Sequence, residues 1–148
     1  MAGELRIGAL LRQSYQEVAK SINRRLEEAG YHDIRSTHFP VLQPLLFHPT
    51  GMTSSELANL AGITKQSMGE IVKYLEERGY VEKTISATDA RARRVVLSPK
   101  GAELMNQVYE IVTALDGELA NRFGERNFQT LRSLLQEFLP MVQAMNDG

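Results

Sequence analysis

The stretch TSSELANLAGITKQSMGEIVKYLEERG, residues 53–79, combines two helical patterns separated by a glycine. Thr53 and Glu56 have the spacing of a capping box, which predicts the start of a short helix. Gly62 interrupts the pattern, and Thr64 is a suitable N-cap for a second helix that Gly79 ends. Apolar residues recur at steps of three and four, so each helix is expected to bury one face. The expected inward residues are Leu57, Leu60 and Ala61 in the first helix and Met68, Ile71, Val72 and Leu75 in the second.

The periodicity of the sequence changes directly after Gly79. The segments YVEKTIS (residues 80–86) and RRVVLS (residues 93–98) are rich in β-branched residues and alternate, which is typical of strands. The intervening ATDA (residues 87–90) has the composition of a turn. Together they predict a two-stranded hairpin. Two helices joined by a glycine-containing turn and followed by a hairpin are the parts of a winged helix-turn-helix.

Long helical patterns flank this core on both sides. Apolar residues recur at helical spacing up to Gly30, and again along two stretches after Ser98 that Gly124 separates. Pro140 is expected either to kink or to end the last helix. The two C-terminal stripes suit a helical dimer interface, although an ordinary core explains them equally well.

The predicted fold class is therefore mainly α (α+β), a winged helix-turn-helix with long N- and C-terminal dimerisation helices. We expect a single domain over residues 1–148, with a winged core over about 36–100 and dimerisation helices over about 5–30 and 99–146.

The composition describes a globular chain with a local excess of positive charge. The 148 residues are 43% hydrophobic and 24% charged, with a formal net charge of −1. Residues 82–101 nevertheless hold five basic and two acidic residues, a net charge of +3 that leaves −4 elsewhere. A local patch of this kind can bind a polyanion even though the whole chain is nearly neutral.

The second helix of the core has a polar face that suits base recognition. In a winged helix-turn-helix, the N-terminal residues of this helix contact base edges in the major groove. Gln can bond adenine, Glu can accept from cytosine N4, and Lys suits guanine or phosphate. Any solvated helix face has a similar composition, so the prediction of base recognition depends on the capped helix before this one and the hairpin after it. The candidate reading residues are Thr64, Lys65, Gln66, Ser67, Gly69, Glu70 and Lys73, and Tyr74 is also expected to face outward.

The basic cluster falls on the hairpin, the wing of this fold. An arginine at the tip can enter a narrow minor groove, and Arg91 is the candidate. Asp89 would repel phosphate, so we expect it to bond turn backbone or to brace an arginine. Arg93 and Arg94 enter a strand with alternating directions, so one is expected to contact phosphate and the other to act as a brace. An exposed, solubilising turn is the alternative.

The stretch from Leu57 to Gly101 resembles the DNA-binding core of the MarR (multiple antibiotic resistance regulator) family of transcription factors. The resemblance rests on four motifs in this order: Leu57-Ala58 in the short helix, Leu75-Glu76 with Gly79 at the end of the second helix, Asp89 with Arg91 in the wing, and Leu97-Ser98 with Gly101 at the next helix. It implies a DNA-binding regulator that is a homodimer on a pseudo-palindromic operator, with Arg91 in the minor groove and Asp89 as its brace.

One position departs from the family pattern. Glu70 stands where many members have a basic residue, and Gly69 stands where a hydroxyl residue is common. A carboxylate in the groove weakens binding unless it meets a donor such as cytosine N4, so the operator preference cannot be taken from relatives.

The resemblance also implies a small aromatic or anionic effector, held between the dimer helices and the winged domain. The candidate residues for such a pocket combine aromatic surface with a titratable group, although ordinary core packing explains them as well: Tyr15, His38, Phe39 and Leu42.

Other function classes find little support in the sequence. There is no phosphate-binding glycine loop, no nucleophile elbow and no short metal-ligand spacing among His32, His38 and His48, so we expect no enzyme activity, no metal and no cofactor. The chain has no cysteine and no apolar run of membrane-spanning length, and residues 1–18 do not have the pattern of an export signal, so we expect a cytoplasmic protein. The remaining alternative is a winged-helix protein-interaction module without specific DNA binding.

Overall fold

The structure is a computed structural model that describes residues 3–85 and 93–148. Within these residues the chain forms six α-helices, two β-strands and one short 3-10 segment. The elements are α1 (Ile7–Glu28), the 3-10 segment (Ser36–His38), α2 (Phe39–Leu46), α3 (Ser54–Ala61), α4 (Lys65–Glu77), β1 (Val81–Ile85), β2 (Arg93–Leu97), α5 (Pro99–Phe123) and α6 (Glu125–Asn146). The chain divides into two compact units, one up to Ile111 and the other from Val112, so the division falls within α5.

The N-caps expected at the starts of α3 and α4 are present. Thr53 accepts a hydrogen bond from the Glu56 N–H at 3.1 Å, and Thr64 accepts one from the Ser67 N–H at 3.0 Å. Gly62 has a φ of +69°, a left-handed conformation that costs glycine little and lets α3 end sharply before α4 begins. The turn between the two helices therefore follows from local sequence.

The buried face of α4 largely matches the expected pattern. Met68, Val72 and Leu75 are buried and Ile71 is half-buried. The prediction for Leu60 in α3 is wrong, because this side chain is 62% exposed. Since α3 packs through Leu57 and Ala58, a residue two positions further on lies about 200° around the helix from Ala58 and faces away.

The hairpin is antiparallel, and its register pairs Val81 with Leu97 and Ile85 with Arg93. A segment before α3 extends the sheet, because Met52 forms a bridge with Val95 through two backbone hydrogen bonds of 3.0 and 2.7 Å. Gly51, with a φ of +92°, makes this approach possible: a Cβ at this position would lie 2.8 Å from the Val95 carbonyl oxygen. The wing is thus anchored to the segment between α2 and α3.

Ser98 and Gly101 form a tight junction between β2 and α5. The Ser98 hydroxyl accepts from the Gly101 N–H at 3.0 Å and donates to the Gly79 carbonyl at the end of α4. A Cβ at Gly101 would lie only 2.1 Å from the carbonyl oxygen of Tyr80. The Ser-x-x-Gly spacing therefore has a steric reason, since the first turn of α5 lies directly on the backbone that follows α4.

The unit from Val112 onward leaves a large apolar surface uncovered. No residue of α6 is buried, and its leucines follow helical spacing along one side. A groove of about 420 Å³ runs along them. Pro140 lies inside α6, which continues to Asn146, so the expectation that this proline ends the helix is excluded. The exposed leucines are Leu131, Leu134, Leu135 and Leu139.

None of the helices in the described ranges is long and apolar enough to span a membrane.

Candidate nucleic-acid interface

The candidate reading residues form one continuous exposed surface on α4. Six of them are exposed from the first turn onward, whereas Met68, Val72 and Leu75 anchor the opposite face in the core. Thr64 is also exposed and is the N-cap itself, and its hydroxyl donates to the Ser67 hydroxyl at 3.0 Å. The exposed residues of the helix proper are Lys65, Gln66, Ser67, Gly69, Glu70 and Lys73.

The Thr64 hydroxyl determines what Ser67 can offer to a ligand. The Ser67 oxygen accepts from Thr64, and its own O–H can donate to a further acceptor. Such an acceptor could be guanine O6 or N7 or a phosphate oxygen, and the second lone pair of the Ser67 oxygen can still accept. The first turn of α4 is thus preorganised by its cap.

The two wing arginines of β2 occupy different environments. Arg94 is half-buried, and its guanidinium donates to the Gly51 carbonyl at 3.0 Å, which ties β2 to the segment before α3. Arg93 is exposed, and its backbone pairs with Ile85 at the end of β1. Asp89 and Arg91 lie outside the described residues. Within the described part of the wing, Arg94 is therefore held by the fold and Arg93 faces solvent.

The base of the wing is also linked to α4. The Lys83 ammonium on β1 lies 3.8 Å from the Glu76 carboxylate on α4, and both side chains are more than one-third exposed. An exposed ion pair of this length adds little stability. Its main consequence is electrostatic, because Glu76 partly neutralises a lysine that would otherwise add to the positive charge of the wing.

The expectation that Tyr74 faces outward is wrong. Its side chain is half-buried, and its hydroxyl donates to the Asp33 carbonyl oxygen at 2.6 Å. The ring stacks on His38, with 4.8 Å between the ring centroids, and the Arg78 guanidinium lies 3.4 Å from the Tyr74 centroid. Tyr74 follows Lys73 directly, but it lies on the edge of α4 that meets the turn before α2. The helical period alone did not distinguish this edge from the solvated face.

Asp33 is a functional candidate that the sequence did not reveal. Its carboxylate accepts from the hydroxyl of Tyr80 at 3.0 and 3.2 Å, in addition to the backbone contact with Tyr74. Burial of the ring and, to a lesser extent, the hydrogen bond to Asp33 raise the pKa of Tyr80. The tyrosines are 41 and 47 residues away in sequence, so no local pattern could have paired them with Asp33. We call Asp33, His38, Tyr74, Arg78 and Tyr80 the Asp33 cluster.

His38 belongs to this cluster in its neutral form. Its Nδ1 accepts a hydrogen bond from the Arg35 N–H at 3.0 Å, which requires an unprotonated Nδ1. Burial lowers the pKa of His38 below its ordinary value of 6.5; Arg78 and Arg35 lower it further, and Asp33 opposes them.

The four candidate effector residues lie in different surroundings. Tyr15 is 60% exposed on α1, and Leu42 has no exposed surface in the core. His38 is engaged in the Asp33 cluster, whereas Phe39 lines an apolar groove of about 500 Å³ between α2 and α3. The effector pocket stays a prediction. Of the four candidate residues, Phe39 lines this groove. Its other lining residues are Pro40, Gln43, Pro44, Phe47, His48, Leu60 and Ala61.

In the described part of the chain, no group of three or more His, Asp or Glu residues is placed to hold a metal ion.

Comparison with known proteins agrees with this geometry. Residues 32–92 match the family model described as MarR family. The HTH-type transcriptional repressor Rv2887 of Mycobacterium tuberculosis is 26% identical over 132 residues, which cover 89% of this chain and 87% of that protein. Among solved structures, the reduced form of MarR from E. coli is similar with a TM-score of 0.81 and 24% identity, covering 93% of this chain and 99% of that one. The S. aureus MepR–DNA complex is similar with a TM-score of 0.75 and 19% identity, covering 95% and 99% of the two chains.

The likeness to these two solved structures shows that this chain shares their fold. The matched residues 32–92 contain both helices of the helix-turn-helix and the first strand of the wing, and the repressor relative extends the match over most of the chain. The helix-turn-helix and the first wing strand of this chain are thus similar to the MarR family, and the chain shares the fold of E. coli MarR and S. aureus MepR.

Proposed function

We propose that this protein is a sequence-specific, double-stranded DNA-binding transcription regulator, and not an enzyme, that acts as a homodimeric repressor on a pseudo-palindromic operator. One observation carries the proposal: α4 exposes Lys65, Gln66 and Ser67 in its capped first turn while its opposite face is buried against the fold. This is the orientation that a recognition helix needs to enter the major groove. The match of residues 32–92 to the MarR family model and the name of the repressor relative support the same function.

Each exposed side chain of α4 has a chemically reasonable target in the major groove. Gln66 suits the N6 and N7 atoms of adenine, and Glu70 suits the N4 donor of cytosine. Ser67 accepts from Thr64 and can still donate its own O–H to a base or a phosphate. Lys65 and Lys73 suit guanine or phosphate. With two lysines and one glutamate, this face carries little net charge, so base recognition here needs additional positive charge nearby.

The wing is proposed to supply that charge. Arg93 is exposed and is assigned to a phosphate, and Arg94 is assigned to bracing because it is bonded to Gly51. Arg91 is assigned to the minor groove and Asp89 to bracing it, on the sequence pattern alone. Phosphate contacts position the protein, and contacts in the grooves specify the sequence.

The homodimer is proposed to form through the long helices outside the winged core. This proposal rests on the row of exposed leucines on α6. Their apolar surface is larger than a helix of a monomeric protein normally leaves exposed to water. A two-fold symmetric dimer would cover these residues and present two copies of α4 to two half-sites. We accordingly propose residues 1–148 as a single functional domain with a winged core over about 36–100, flanked by dimerisation helices over about 5–30 and 99–146.

A small aromatic or anionic effector is proposed as the signal, and the cytoplasm as the location. The groove that Phe39 lines has the volume of a small-molecule site and is mostly apolar, with Gln43 and His48 among its lining residues. Tyr15, His38 and Leu42 remain proposed parts of an effector site that requires rearrangement, because Leu42 is fully buried in this conformation.

The test is binding to the DNA that lies directly upstream of the protein's own gene. Fluorescence anisotropy should show higher affinity for this duplex than for a random duplex of equal length, with a steep salt dependence. Gln66→Ala and Glu70→Ala should change the preferred sequence, whereas Glu103→Ala, an exposed glutamate on α5, should leave it unchanged.

Equal affinity for the upstream and random duplexes would contradict the proposed function. Salt-insensitive capture of a protein partner without DNA binding would favour the interaction-module alternative.

A further inference from the structure

Asp33 connects the end of α1 to the C-terminal half of α4. It lies in the turn that follows α1, and its backbone carbonyl and its carboxylate accept from the hydroxyls of Tyr74 and Tyr80, respectively. The same turn is tied to α1 itself, because the Ser36 N–H donates to the Asn23 side-chain oxygen at 2.7 Å. A continuous set of hydrogen bonds thus runs from α1 through this turn to α4 and the start of β1.

The two tyrosines are linked to each other through further polar contacts. The Arg78 guanidinium covers the Tyr74 ring and donates to the Tyr74 carbonyl at 3.1 Å. The Lys100 ammonium donates to the Arg78 carbonyl at 2.7 Å and lies 4.3 Å from the centroid of the Tyr80 ring. These contacts hold the C-terminal end of α4 in place. The hydrogen bonds to Asp33 then connect this end to the turn between α1 and α2.

We propose that Asp33 is a positioning residue that sets the orientation of the recognition helix relative to α1, through hydrogen bonds from Tyr74 and Tyr80. The proposal rests on the DNA-binding function proposed above. Its distinguishing feature is that it assigns a role in sequence recognition to residues that face away from the reading surface of α4.

The length of α4 explains why a contact at its far end affects recognition. Gln66 and Tyr74 are eight residues apart, or about 12 Å along the helix axis. A shift of about 1 Å at the Tyr74 end would tilt this rigid segment by about 5° relative to its other end. Contacts to base edges lose strength when their donors and acceptors move by about 0.5 Å, so loss of the hydrogen bonds to Asp33 should affect specific binding.

The tethers are the two hydrogen bonds that the hydroxyls of Tyr74 and Tyr80 donate to Asp33, and phenylalanine variants remove each of them without removing the ring. Tyr74→Phe and Tyr80→Phe delete one hydroxyl each, and Tyr109→Phe is the matched control because Tyr109 on α5 is 72% exposed. Asp33→Ala removes the carboxylate that holds Tyr80 and leaves the carbonyl that holds Tyr74. Asp33→Asn keeps an acceptor oxygen and is the rescue variant.

The readout is the ratio of affinities for the upstream duplex and for a random duplex, measured at a temperature at which every variant is folded by circular dichroism. We expect each tyrosine variant to lower this ratio by about fivefold, the effect of losing one hydrogen bond. Affinity for the random duplex and the salt slope should stay unchanged, because no phosphate contact is altered. Asp33→Asn should retain the wild-type ratio, and Tyr80→Phe should have no further effect in the Asp33→Ala background.

A merely structural role would give a different pattern, in which both affinities fall together with the folded fraction. If the wild type discriminates between the duplexes and the tyrosine variants match Tyr109→Phe, the inference is wrong and the proposed function stands.

A DNA-free measurement tests the tether separately. Because the chain has no cysteine, spin labels can be placed at Gln16→Cys on α1 and Gln66→Cys on α4, both exposed. Dilution with excess unlabelled chain restricts the measurement to distances within one chain. We expect Tyr74→Phe to broaden or shift the distance distribution, whereas Tyr109→Phe should not. An unchanged distribution in Tyr74→Phe overturns the positioning role even if the protein binds no DNA.

Discussion

The neighbouring arginines of β2 should respond in opposite ways to the same substitution. Arg94 is half-buried and bonded to the Gly51 carbonyl, whereas Arg93 is exposed. We expect Arg93→Ala to reduce DNA binding without affecting stability, and Arg94→Ala to reduce stability without removing a phosphate contact.

The expected loss of DNA affinity in Arg93→Ala follows from counterion release. Each lost phosphate contact lowers the slope of log affinity against log salt by about 0.9, or about 1.8 for a dimer with both wings bound. Between ~50 and ~200 mM salt, the affinity advantage of the wild type over Arg93→Ala should therefore shrink about twelvefold. Arg93→Lys keeps the charge and should keep the slope.

The expected loss of stability in Arg94→Ala follows from the hydrogen bond that its guanidinium donates to the Gly51 carbonyl. A charged donor to a carbonyl contributes about 1.5–3 kcal/mol when well buried, and solvent around this half-buried side chain reduces the expected loss to about 1 kcal/mol. Urea unfolding followed by circular dichroism measures this loss, and anisotropy across a salt series measures the slopes. If Arg94→Ala flattened the salt slope and left the unfolding free energy unchanged, the assignment of Arg94 as a brace would be wrong.

Three further outcomes are expected from single changes elsewhere in the chain. Gly101→Ala should lower the unfolding free energy by about 3 kcal/mol, because its Cβ would overlap a backbone carbonyl, whereas Gly117→Ala, with open space around it, should not destabilise; urea unfolding distinguishes them. Acidification should destabilise the protein through His38, because its folded pKa lies below 6.5: the contribution is complete above pH 6.5 and is lost as the pH falls through the lower folded value. Protonation also removes the acceptor for the Arg35 N–H, so a pH series of unfolding curves should be flatter for His38→Gln, and an equal pH dependence in that variant would contradict this account. Thr64→Ala should cost about 1 kcal/mol through loss of the N-cap, and Thr64→Ser should restore most of it, as thermal unfolding would show.

The winged core was predictable because its signals are local. Thr53 and Thr64 cap helices through atoms three residues away, and Gly62 adopts the conformation that only a residue without a side chain adopts easily. The alternation of the hairpin strands likewise operates between near neighbours in sequence. Such interactions leave a pattern in the sequence that can be read without knowing the rest of the fold.

The surroundings of single side chains were less predictable. Leu60 was expected inside and is exposed, and Tyr74 was expected outside and is half-buried. A helical period identifies the centre of a buried face, but the edges of that face depend on which neighbouring element lies there. For Tyr74 this neighbour is the turn that contains Asp33, far away in sequence.

The sequence by itself determined the order of the elements and the caps and turns between them, and its motifs indicated the resemblance to the MarR family. It also predicted the exposed polar face of α4, since that face lies opposite a strongly periodic apolar one. The tertiary structure alone decided that Arg94 is held by Gly51 while Arg93 is exposed, and that Asp33 joins the turn after α1 to α4. The physical reason is that a cap or a helix face depends on neighbours a few residues away, whereas these hydrogen bonds join residues about forty positions apart, and only the packing of the complete chain brings them together.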